Sequence, residues 1–160
     1  MSFDNAVLNE VPDIGAGELI ASKPGTVEAF ELFEDGLLEG RFVKYDTGSI
    51  DKLDASTTPK VAGIAKRKIN GEIGSGVYST SGQAIDQVAE VITYGYATVT
   101  VTDAADPAKY APVYAINLAS AETGKATEDS TATGALLVAN VDFWEQKAAG
   151  VWLVRIKLSL

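Results

Sequence analysis

The sequence predicts an all-β domain, jelly-roll-like or a small β-barrel or sandwich, preceded by an extended N-terminal arm. Three observations carry this expectation. From Gly40 onward, short runs of β-branched, aromatic and small apolar residues are broken at intervals by Gly, Asp, Asn and Pro, which is the spacing of strands and turns in sandwiches and barrels. The stretch VITYGYATVTVTD, residues 91–103, alternates residues that favour burial with residues that tolerate water. No segment sustains a helical period, and the best helix candidate, around Gln83 to Val88, is short.

Taken in order, residues 1–39 read as the arm. They hold Pro12, Pro24, Gly15, Gly17 and Gly25, with one short strand expected near Glu18 to Ser22. Their nine acidic residues against Lys23 alone give −8, so that of the chain's net −9 only −1 remains for the rest. Residues 40–160 read as a single β-domain. Its expected strands are GRFVKYD, KVAGIAKRKI, GVYSTS, EVITYGYATVTVTD, PVYAINLA, ALLVANVDFWEQ and GVWLVRIKLSL. DTGSIDKLD and SAETGK read as turns, and NGEIGSG as a hairpin-like connection. In the 91–103 run, strict alternation sends Val99 and Val101 to the core and Tyr94, Tyr96, Thr98, Thr100 and Thr102 to the opposite face. In the last run, Trp152, Val154 and Ile156 share the core side.

Composition narrows the function classes. At 160 residues, 46% hydrophobic and 22% charged, the chain suits one domain with a real core. No apolar run approaches the roughly 20 residues of a membrane-spanning helix, and the first residues lack the features of a secretion signal. With no cysteine and no histidine, thiolate chemistry, Ser-His or Cys-His nucleophiles and the commonest transition-metal ligands are all excluded. The acidic arm repels phosphate, so nucleic acid is not an expected partner.

The chemistry-bearing patterns resolve into ordinary structure. Glu34 and Asp35 sit beside Gly36 in FEDGLLEG, where a turn explains them, and DTGSIDKLD lacks the ligand spacing of an EF-hand loop. GEIGSG lacks the paired Lys and Ser/Thr of a phosphate loop. No catalytic, cofactor or metal residues are assigned. Contact surfaces remain: Tyr94 and Tyr96 beside the Thr row, the basic run Lys66, Arg67, Lys68, and Trp144 in DFWEQKAAG, near a loop where interfaces and carbohydrate readers place Trp and where core packing competes. From Arg41 to Lys68 there are seven basic and three acidic residues, a local +4 facing the arm's −8. An arm poor in large apolar groups gains little from burial in its own chain, so the basic run of a neighbouring subunit, or a partner surface beside it, is its expected seat. An arm folded back on its own domain is the competing arrangement.

Together, FEDGLLEGRFVKYD, VAGIAKRK, YGYATVTV, PVYAINLASAETGKAT and VWLVRIKL, in that order and spacing, resemble the structural cement (capsid decoration) proteins of tailed bacteriophages. The segment YAP before Val113 departs from that pattern, and residues 1–32 lie outside it. The resemblance implies a β-domain on the exterior of a phage head that bridges capsomers. It implies the major capsid protein as partner, self-association as a dimer or trimer, synthesis in the bacterial host cytoplasm, and no catalytic residue or cofactor. A carbohydrate-binding or adhesin-like module is the alternative function.

Overall fold

A computed structural model describes residues 15–20, 22–33, 37–55, 59–67, 77–78, 88–102 and 106–157. Eleven strands follow one another: β1 (Thr26–Leu32), β2 (Leu37–Leu38), β3 (Phe42–Asp46), β4 (Ser49–Lys52), β5 (Val61–Ala65), β6 (Val77–Tyr78), β7 (Val88–Thr100), β8 (Pro112–Ile116), β9 (Ala126–Thr127), β10 (Ala135–Ala148) and β11 (Val151–Ile156). Among the described residues there is no helix. The expected short helix lies outside them except for Val88, which opens β7.

Strands β1, β4, β3, β5 and β7 are joined in that order, and β1 pairs again with β7, closing a five-stranded barrel. Of the forms the sequence allowed, this is the barrel. Beyond β7 the sheet continues through β11, β10, β8 and β9. It then curls back until Ala126 of β9 meets Val101, just past the end of β7. β7 therefore belongs to both halves. The residues on its two sides explain how. Ala89 and Val91 join the barrel core with Leu32, Val43 and Ile50, whereas Ile92, Ala97 and Val99 join the larger core with Phe143, Trp152 and Val154.

Strict alternation would send Val91 and Val99 to one side, so the phase flips between Ile92 and Ala97. Gly95 sits in that interval with φ of +110°, where a Cβ would come within 2.8 Å of the Pro24 carbonyl oxygen. The register with β1 steps from Tyr94 to Ile92, so Thr93 is the extra residue of a β-bulge at which the strand changes phase, while Gly95, without a side chain and at positive φ, lets the Pro24–Gly25 backbone pass close by.

The segment expected to be an arm takes part in the sheet. Residues 26–32 form β1, and residues 15–20 run along the free edge of the second half of β7. Gly17 and Ile20 donate to the carbonyls of Thr98 and Tyr96 at 2.7 and 2.9 Å, and Thr98 returns a bond to Glu18 at 2.9 Å. Backbone pairing holds this segment, and Leu19 adds apolar contact against the larger core. Thr98 is consequently fully buried, contrary to its expected outward position. Its hydroxyl accepts from the Glu18 N–H and donates to the Gly15 carbonyl, both at 2.8 Å.

DTGSIDKLD is likewise more than a turn. Thr47 and Gly48 make the turn, and Ser49–Lys52 form β4. Directly across the resulting hairpin stand Lys44 and Asp51, both buried and 3.3 Å apart, with Asp54 2.6 Å from the same ammonium. Burial disfavours the charged Lys44, but hydrogen bonds and charge from Asp54 and Asp51 outweigh it and raise its pKa.

Candidate functional site

The strand order β7-β11-β10 sets Tyr96, Arg155 and Asp142 side by side, because Arg155 stands opposite Tyr96 on one flank and Asp142 on the other. Asp142 is buried. It accepts two bonds from the Arg155 fork, at 3.0 and 2.7 Å, and one from Lys157 at 3.0 Å. Burial works against the carboxylate, yet these cations prevail and hold its pKa below the ordinary value.

Trp144 lies two residues on from Asp142. The register jumps from Phe143 opposite Val154 to Glu145 opposite Leu153, so Trp144 is the extra residue of a β-bulge. A bulge re-aims its side chain, and here the indole meets Tyr96 edge-on at 5.2 Å and Tyr110 edge-on at 5.5 Å. Each such contact contributes about 0.5–1.5 kcal/mol beyond area burial. Tyr110 holds its backbone at φ +68° and remains 59% exposed. Its N–H donates to the Phe143 carbonyl at 2.7 Å, which fixes that loop to β10. Non-glycine residues rarely adopt this conformation, and such outliers cluster at functional sites.

Cations cover the rings. Lys109 Nζ lies 4.2 Å from the centre of Trp144, Arg155 lies 5.1 Å from it, and Lys23 Nζ lies 4.6 Å from the centre of Tyr96. Beside them a cleft of about 250 Å³ is lined by Pro24, Tyr94, Gly95, Tyr96, Arg155, Ile156 and Lys157. A second hollow, of about 290 Å³, lies between β2, β3 and the 119–123 turn. Its Arg41 donates to the carbonyls of Ala121 and Thr123 at 2.7 and 2.8 Å, so this guanidinium secures the turn.

The structure thus brings Tyr94, Tyr96 and Trp144 to one face, with Trp144 half-buried on the strand face and outside the core. It leaves Lys66 and Arg67 elsewhere. Lys66 pairs with Glu90 at 2.6 Å and Arg67 with Glu18 at 3.0 Å, so Arg67 already meets an acidic residue of its own chain's leading segment. Lys68 and residues 1–14 lie outside the described residues. Among the described residues no group of three metal-binding side chains gathers. Aromatic anchors ringed by cations are the composition of a contact surface.

The profile of the XM1 gp53 minor capsid protein matches residues 3–158. The chain belongs to the XM1 gp53 minor capsid protein family. A chain in the solved capsid of Myoviridae phage XM1 is 71% identical, superposes with a TM-score of 0.86, and the match covers 98% of each chain. No curated protein matches. As a gp53-family minor capsid protein the chain is a structural component of a phage virion, and the phage-capsid resemblance in its sequence holds.

Sequence reasoning on this gp53-family chain missed Lys23, Lys109, Tyr110, Asp142, Arg155 and Lys157. The only signal for them was Arg155 and Lys157 sharing a parity opposite to Trp152 and Val154. The 106–111 loop, which supplies Lys109 and Tyr110, carries no period that points to Trp144.

Proposed function

We propose that this gp53-family protein is a non-enzymatic cement protein, which binds the outside of the phage head, contacts the major capsid protein and bridges capsomers. The observation that carries the reading is the face formed by Tyr96, Trp144 and Tyr110 with their cations, displayed on a sheet that continues into a closed barrel. Large aromatic groups on a rigid frame bind with little ordering cost, which is how interface anchors act. Many copies related by the shell's symmetry would sum modest contacts into a large stabilisation, and self-association into dimers or trimers on the head would add to it. The carbohydrate-reader alternative requires an open ring face for a sugar, whereas Lys109 and Arg155 lie over that of Trp144.

The test uses shells assembled without this protein. Purified protein should bind them and raise their heat resistance. Equal melting temperatures of shells with and without it would refute the cement role.

A further inference from the structure

We infer that the aromatic–cationic face is a docking site for an acidic segment of the capsid shell protein, with a carboxylate-bearing side chain seated in the cleft beside Tyr94 and Tyr96. This rests on the cement reading and names the chemistry of its partner.

Basic groups are scarce in this chain. The chain has 13 basic residues against 22 acidic ones, and most of its ion pairs are internal: Lys44 with Asp51 and Asp54, Lys66 with Glu90, Arg67 with Glu18, Lys125 with Glu122, Lys147 with Glu145. The aromatic face breaks that pattern. Lys23 and Lys109 have no carboxylate within ion-pair distance among the described residues, and their ammonium groups lie over Tyr96 and Trp144 instead. Arg155 and Lys157 share the single carboxylate of Asp142. Glu145 lies in the field of Lys109 but is engaged by Lys147 at 2.7 Å. Cations therefore exceed carboxylates on this face, in a chain whose overall balance is −9.

Such an excess held over aromatic rings attracts carboxylates, and the rings supply apolar contact for the stem of the group that carries them. The cleft of about 250 Å³ lies below the roughly 300–1,000 Å³ of small-molecule sites, so it fits a side chain from a partner better than a free ligand. A nucleic-acid strand fits less well. The net charge repels a phosphate chain, and single-strand binders spread their cations along a groove, whereas these gather round one aromatic cluster.

The test pairs a binding assay with shell addition. A fluorescein-labelled peptide rich in Glu and Asp is titrated with the full chain, and a single-stranded oligothymidylate of matched charge serves as the counter-probe. The peptide should bind, more weakly as salt rises, and the double variant Lys23→Glu/Lys109→Glu should lose on the order of tenfold or more in affinity while melting like the parent. The same variant should add poorly to shells that the parent coats. Absence of salt-sensitive peptide binding, or preference for the oligothymidylate, overturns the inference. If the folded variant coats shells as well as the parent, the docking face is wrong while the cement role stands. If the parent itself fails to coat shells, the cement role falls.

Discussion

Replacing Thr98 by Val tests how the leading segment is held. Valine keeps the shape of threonine, so no cavity opens, but it removes a hydroxyl that accepts from Glu18 and donates to Gly15. Each of these bonds contributes about 0.5–1.5 kcal/mol net, so their joint loss costs about 1–3 kcal/mol, a factor of roughly 5 to 150 in an equilibrium constant. The Glu18 N–H and Gly15 carbonyl would then face a methyl group, and the least costly relief is for residues 15–20 to lift toward water. Two readouts follow. In urea the unfolding midpoint should fall with the slope unchanged, and amide exchange at Gly17 and Ile20, which bond to the carbonyls of Thr98 and Tyr96, should accelerate while the amides of β11 stay protected. Thr98→Ser, which retains the hydroxyl, should slow exchange at Gly17 and Ile20 again. Unchanged exchange at both amides in Thr98→Val would refute the reasoning and show that backbone pairing, the Arg67–Glu18 ion pair and Leu19 packing suffice to hold the segment.

Lys44→Met strands the buried Asp51 carboxylate without its cation and should cost about 3–5 kcal/mol by urea titration, whereas Lys44→Met/Asp51→Leu should recover much of that; a double variant no better than the single one would contradict this account. Phe143→Ala empties a fully buried site edge-on to Trp152 and should cost about 3–5 kcal/mol. A loss below about 1 kcal/mol in the same titration would show that Phe143 does not hold the larger core together. Because Asp142 has a depressed pKa when folded, its stabilisation is present above the ordinary carboxylate value of 3.8 and fades as pH falls through the lower folded value. Melting temperatures of Asp142→Asn should therefore decline less steeply than those of the parent over that acid range.

Period-2 patterning located Val99, Val101, Trp152, Val154 and Ile156 in the core, and all five are buried. What alternation cannot reveal is a change of phase inside one strand, or what covers the face it calls outward. The bulge at Thr93 supplied the first and residues 15–20 the second, so Thr98 was misread. β1 escaped notice because TVEAFEL is mostly exposed and carries two glutamates, although its backbone closes the barrel between β4 and β7. Tyr94, Tyr96 and Trp144 were legible as contact candidates from their residue types alone. Their grouping was not, since it depends on β11 lying between β7 and β10 and on a bulge that aims Trp144. The basic run stood out by density, but density does not tell whether each cation already has a partner, and Lys66 and Arg67 do.

β7 also has a mechanical consequence. It is hydrogen-bonded on both flanks, to β1 and β5 over its first half and to β11 and residues 15–20 over its second. A pull on the outer sheet reaches the barrel through this continuous strand and through the bonds of Arg41 and Phe42 to the 121–124 turn, rather than through a flexible joint. Sliding β7 lengthwise loads its flanking bonds in parallel, so they must fail together instead of opening one at a time. A load on one half is therefore shared with the other, and the molecule bears strain as one body.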